Sequence, residues 1–340
     1  MKEIKRVLIF ILIAVALLSG CGEAEDNSAE KREVTTQAGG LGHNKIYTEG
    51  LKESGMVFED APMEFSDPVM EEMLRNIIGK PEGEVYISEL QAIHIIYWSS
   101  WDNTYSSNIQ SFDGSDGEWE SFRFPGKKPS NFDDLAYCYN LQELTIGKIE
   151  VPSLEPLYEL PQLESLKFDG SVITEERLGE IGNLPHISIF ELEGEEWMNW
   201  GDITDGSFLL PIADQLIYLS TGAGIDWNPE VMAQMENLEV LFMEYQDDIS
   251  FLEHMPKLKR LWLYCCTPED WTPLAAAQSL EFLHVGGNMH QSIDFTLEDV
   301  KPLVNLERLS LNFTTMNKEN TWDEVVEAMP GLTALQMLKF

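Results

Sequence analysis

Trp262 has Phe242 and Phe282 twenty residues to either side of it, and Tyr264 and His284 repeat the same interval. Tyr218, Arg260 and Arg308 complete a set whose chemistry is recognition: aromatic planes anchor protein ligands or stack on sugars, and guanidinium groups clasp carboxylates with two parallel hydrogen bonds. The chemistry of catalysis finds less to use. The chain contains no G-x-S-x-G, no H-E-x-x-H and no phosphate-cradling glycine loop. His284 and His290 lie six apart with no third ligand at a metal-binding interval, so no metal or cofactor is expected. "FDGSDGEWE", Phe112 to Glu120, misses the D-x-D-x-D-G calcium pattern and reads as a loop. After Cys21 only Cys138, Cys265 and Cys266 remain, without C-x-x-C spacing, which is neither a disulfide nor a zinc framework. A catalytic role is not expected.

Stepping outward from Trp262, "LKRLWLYCC" places Leu258, Leu261 and Leu263 on one side of a strand and Trp262 and Tyr264 on the other. Its L-x-x-L-x-L spacing recurs with apolar substitutions. Starts fall at Leu90, Trp119, Leu141, Leu163, Ile187, Leu216, Leu238, Leu258, Leu280, Leu306 and Leu332, mostly 20 to 29 residues apart. Three residues before many starts stands another apolar residue, often followed by proline, as in Leu160-Pro161, Leu184-Pro185, Met255-Pro256 and Met329-Pro330. This self-similarity resembles the leucine-rich repeat. It implies an α/β solenoid of eleven units, with a parallel concave β-sheet, short helices or irregular segments on the convex side, and a helical N-terminal cap. The third, fifth and seventh positions of each unit then face away from the core, which sets the aromatics and arginines named above on the concave face. The fifth-position row would include His94, Arg123, Thr145, Lys167, Glu191, Phe242, Trp262, His284 and Gln336. Cys266, at the ninth position, and Cys138 become core filling, and Cys265 falls at the edge of the face, where a vicinal bond to Cys266 stays open.

Upstream, "SDPVMEEMLRNIIGK" offers Asp67 as helix N-cap, Pro68 at the first helical position and Gly79 beyond the end. With the "GKPEGEVYISEL" that follows, it resembles the helical N-terminal cap of internalin-type bacterial surface proteins. That resemblance implies cap plus repeats over residues 58 to 340 and a Gram-positive source. Lys2, Lys5 and Arg6 precede an apolar run from Val7 to Leu18, too short to span a bilayer, which takes about 20 residues. "LSGC", Leu18 to Cys21, resembles the bacterial lipobox, which implies a diacylglyceryl group on Cys21 and attachment to the extracytoplasmic face of the cell membrane. The expected organisation is a signal peptide over 1–20, a flexible tether over 21–59, the cap over 60–89 and the repeats over 90–340. With 22 basic and 59 acidic residues, net charge −37, the surface repels phosphate backbones, and nucleic acid is excluded as a partner.

Two readings of the aromatic face stay open. Either a protein partner or a glycan docks on it, or the segment Glu195 to Pro211 folds over and covers it. The insertion Ser99 to Glu118, with Trp101 and Tyr105, could line the same opening. At the other end "LTALQMLKF" points Leu335 and Met337 inward and leaves an uncapped sheet edge.

Overall fold

The computed structural model describes residues 59–98, 104–108, 119–123, 128–193, 205–222, 225, 227–287, 295, 297–312 and 334–339. The expected leader, Cys21 and the expected tether as far as residue 58 lie outside them. Two helices open the described chain: α1 (Pro68–Ile77) and α2 (Ile87–Leu90). Asp67 caps α1, its side chain accepting from the backbone of Val69 at 2.8 Å and Met70 at 3.0 Å. Val69, Met70, Met73, Leu74 and Ile77 form its buried stripe.

One sheet follows, built from β1 (Ile95–Trp98), β2 (Thr104–Asn108), β3 (Trp119–Arg123), β4 (Glu143–Gly147), β5 (Ser165–Asp169), β6 (Ile189–Glu193) and β7 (Tyr218–Thr221). It continues through β8 (Val240–Glu244), β9 (Arg260–Tyr264), β10 (Phe282–Gly286), β11 (Arg308–Asn312) and β12 (Met337–Lys339). From β12 to β4 the strands lie in reverse sequence order, then come β1, β2 and β3. All pairings are parallel except β1 with β2 and β2 with β3. Between strands the chain returns through single 3₁₀ turns such as Ser250–His254 and Thr272–Ala276, or through the short helices α3 (Glu175–Ile181) and α4 (Pro229–Met232). The architecture is that of a leucine-rich-repeat solenoid.

The repeat pattern explains the core. First, fourth and sixth positions are buried from unit to unit, as in Leu258, Leu261 and Leu263 or Leu280, Leu283 and Val285. Among the described residues the one three before a start is buried too, and in most units its carbonyl accepts from the start residue, as Met255 does from Leu258 at 3.2 Å. At the eighth position the backbone turns left-handed in Lys148, Gly170, Tyr245 and Cys265, and each N–H bonds the seventh-position carbonyl of the next strand. At the ninth, Ser171, Gln246 and Cys266 do the work an asparagine would. Ser171 Oγ donates to the Ile146 carbonyl at 2.8 Å, Gln246 Nε2 to Ile225 at 2.7 Å and Cys266 Sγ to Met243 at 3.7 Å. Cys138, Cys265 and Cys266 are free thiols, all buried, and burial pushes the Cys266 thiol up to about 12.

Three expectations of register are corrected. The segment from Trp119 is no repeat: β3 pairs antiparallel with β2 in a hairpin at the sheet edge, placing Arg123 opposite Thr104 and off the fifth-position row. The first unit starts at Ile93, not Leu90, because Ile96 pairs with Leu144, and Tyr97 rather than His94 aligns with Thr145. Leu90 ends α2, and its carbonyl accepts from Ile93 at 3.0 Å. The last unit likewise starts at Leu335, since Leu338 pairs with Leu309 and Lys339 with Ser310. Gln336 therefore leaves the fifth row, and Met337, 54% exposed, occupies the third position and not a core one.

Candidate binding face

Alternation along each strand fixes which side chains reach the open face. Leu261 and Leu263 are fully buried, so Trp262 between them must point the other way. Pairing sets its row: Phe242, Trp262, His284 and Ser310 lie side by side on β8 to β11. The third-position row beside it runs Tyr218, Val240, Arg260, Phe282 and Arg308, and the seventh runs Glu244, Tyr264, Gly286 and Asn312.

These residues form two groups. In the first, the Trp262 and Phe282 rings lie 4.5 Å apart at 37°, a diagonal contact between adjacent strands worth about 1 kcal/mol beyond the area it buries. His284 Nδ1 lies 3.0 Å from Ser310 Oγ. Gly286 makes room for that imidazole: a Cβ there would sit 2.8 Å from His284 Nε2 and 3.1 Å from Tyr264 Cδ2. Phe242, Trp262, Tyr264, Phe282, His284 and Arg260 are all partly exposed, and Arg308 is exposed. Burial works to lower the affinity of the Arg260 guanidinium for its proton, Glu281 opposes this, and Arg308 adds to it.

The second group sits toward the N-terminal end of the sheet and was not singled out by sequence. Lys167 reaches Glu191 at 2.8 Å and Glu193 at 3.1 Å. Burial disfavours the Lys167 charge, but the two carboxylates outweigh it and hold the ammonium above its usual range. Burial raises Glu191, helped by Glu193 and Asp169 and opposed by Lys167. Tyr218 belongs here: it is buried, and burial and then the Glu191 charge push its phenol above the usual range. Lys167 and Glu191 are neighbours on the fifth-position row, which was the available signal.

The segment proposed to cover the aromatics goes elsewhere in its described part. Phe208 packs 6.0 Å from the core ring of Phe190 and 6.0 Å from Trp227, and Leu209 is fully buried. Residues 194–204 lie outside the described residues. Of the other insertion, Tyr105 lies on β2 opposite Trp98, and Trp101 lies outside the description. Among the described residues no group of three or more side chains could hold a metal ion.

In sequence, no family profile and no curated protein matches the chain. In structure, it is similar to an internalin (inlF) from Listeria monocytogenes, with 19% identity and a TM-score of 0.54, over 82% of this chain and 71% of that one. It is also similar to internalin C2 from the same organism, with 20% identity and a TM-score of 0.51, over 75% of this chain and 99% of that one. At such identities the likeness is one of fold.

Proposed function

We propose that the chain is a lipid-anchored bacterial cell-surface protein, of a Gram-positive organism, that binds a protein partner on the concave face of its repeats in adhesion or envelope interaction. Cys21 carries the lipid, residues 1–20 are the leader, 21–59 the tether, 60–89 the cap and the remainder the recognition domain. The ligand site is Phe242, Trp262, Tyr264, Phe282 and His284, with Arg260 and Arg308 at its rim and Tyr218 beneath its N-terminal border. No catalytic residue and no cofactor is assigned. One observation carries the reading: a pair of large aromatic rings in contact stands partly exposed on a sheet face whose neighbouring core positions, Leu261, Leu263, Leu283 and Val285, are already filled by apolar side chains. Keeping such a surface in water forfeits about 25 cal/mol for each Å² of apolar area that a partner could cover.

A photo-reactive residue placed at Phe242 in the native cells tests the site, with the exposed convex Val304 as control. Adducts containing a second polypeptide are expected from 242 and not from 304. Glycan adducts without peptide would move the reading to a carbohydrate-binding module. Trp262→Ala should weaken capture of the cross-linked partner by about 30-fold, the equivalent of about 2 kcal/mol, with the melting temperature shifted by no more than the lost ring contact. Unfolding without loss of binding would make Trp262 a packing residue. For the anchor, the intact mass of the mature N-terminal peptide should show diacylglyceryl on Cys21; an unmodified cysteine refutes it.

A further inference from the structure

The described cations of this chain are nearly all engaged. Arg75 meets Glu71 at 2.8 Å, Lys80 meets Glu89 at 2.7 Å, and Lys259 meets Glu239 at 2.8 Å. Arg177 sits on Glu180 and Lys301 on Glu298, while Lys257 donates to Asn237. Lys167 takes two carboxylates. Arg260 and Arg308 are the exception: neither guanidinium has an ion pair or a hydrogen bond with any described residue, although both backbones are paired in the sheet, and Arg308 repels Arg260. With 59 acidic residues against 22 basic ones, a carboxylate within reach would be the ordinary outcome. Glu281 acts on Arg260 only from beyond ion-pair distance.

Their placement adds a pattern. Arg260, Phe282 and Arg308 are consecutive on one row, so a cation stands on each side of an aromatic ring. Two strand spacings separate the arginines by about 10 Å, the reach of about three residues of an extended chain. The Trp262 ring against Phe282 adds apolar surface next to this row, from which a docked partner would displace water and so strengthen charge-assisted hydrogen bonds to the arginines.

We propose that the row Arg260, Phe282, Arg308 receives an acidic segment of the partner protein, in which two carboxylates flank an apolar residue. This rests on the concave-face reading above and deepens it. The acidic side chains of Asp169, Glu191 and Glu193 on β5 and β6 outnumber Lys167 and disfavour the same segment at the other end of the face. The partner is therefore held over β9 to β11 in one orientation.

Selection from a random dodecapeptide phage library on the full chain tests this, run in parallel on Trp262→Ala and on the double variant Arg260→Gln/Arg308→Gln. The expected peptides carry Asp or Glu on both sides of an apolar residue. Their dissociation constants should rise at least tenfold on the double variant, with its melting temperature retained, and rise with salt. Peptides that are basic or uncharged, or that bind the double variant equally well, overturn the proposal. If those same peptides still need Trp262, the concave-face reading survives without it; if no selected peptide needs Trp262, both fall. Tighter retention of polygalacturonate than of any selected peptide overturns it in favour of an acidic glycan.

Discussion

Lys167 shows how a single charge can hold a face together. One of its two carboxylate partners, Glu191, lies almost wholly out of water, so removing the lysine strands a buried anion. Lys167→Met should therefore cost about 3 kcal/mol at neutral pH. The sign of the pH dependence follows from the directions. A carboxyl raised on folding binds more protons in the folded state, so its part of the stability declines as pH rises from the unfolded value through the folded one. A lysine raised on folding contributes stability that is fully present below its unfolded value of about 10.4 and is lost only as pH rises through the higher folded one. In Lys167→Met the Glu191 value climbs further, so the deficit should be smaller at pH 5 than at pH 7.5, and Lys167→Met/Glu191→Gln should recover part of it. Urea unfolding at the two pH values decides: a deficit equal at both would refute the stranded-anion account.

Among elements, α1 depends on its first residue outside the helix. Asp67 accepts from Val69 and Met70 and also from the backbone of Ser130 at 2.8 Å and its hydroxyl at 2.6 Å, tying the helix start to a segment 63 residues away. Burial alone would raise this carboxyl; the hydrogen bonds from Ser130, Met70 and Val69 outweigh it and hold it below the ordinary value. Its contribution is present above the unfolded value and is lost as pH falls through the folded one. Asp67→Ala should cost about 2 kcal/mol at pH 7 and less near pH 3, read from thermal unfolding. This cap was legible in the sequence, as was every unit from Leu141 to Leu306, because leucine spacing and strand pairing agree there. The two ends were not. In "LQAIHIIYW" and "LTALQMLKF" three apolar residues follow one another at intervals of three, Leu90, Ile93 and Ile96 in one and Leu332, Leu335 and Leu338 in the other. The residue three before a start is itself a core position, so the pattern fits in two phases and only the neighbouring strand chooses. The hairpin of β2 and β3 was missed for a related reason: Trp119, Phe122 and Phe124 match the repeat spacing, while strand direction leaves no mark on composition. At the site, alternation placed Trp262 and its row on the open face, but the split between an aromatic group and the Lys167 cluster needed relative burial, which spacing does not encode.

At the scale of the whole molecule, a net charge of −37 over the full chain, most of it on the repeats, sets a self-repulsion that ions relieve. Raising NaCl from 20 to 500 mM should increase the melting temperature, most steeply below about 150 mM where screening changes fastest; a flat response would mean that local pairs such as Lys80 with Glu89 already neutralise the repulsion. Each unit touches only its neighbours, so such gains accumulate along the stack rather than at one centre. The alternation of Leu261, Trp262 and Leu263 has a consequence of another kind. Adjacent letters of one strand answer to different judges, Trp262 and its like to whatever lies outside, Leu261 and Leu263 to the neighbouring rung. A lineage can rewrite what it recognises, one rung at a time, without renegotiating how it folds. Comparison of descendants would then show a comb of changeable and fixed residues with teeth two positions apart, and the partner's history would be written in the changeable ones.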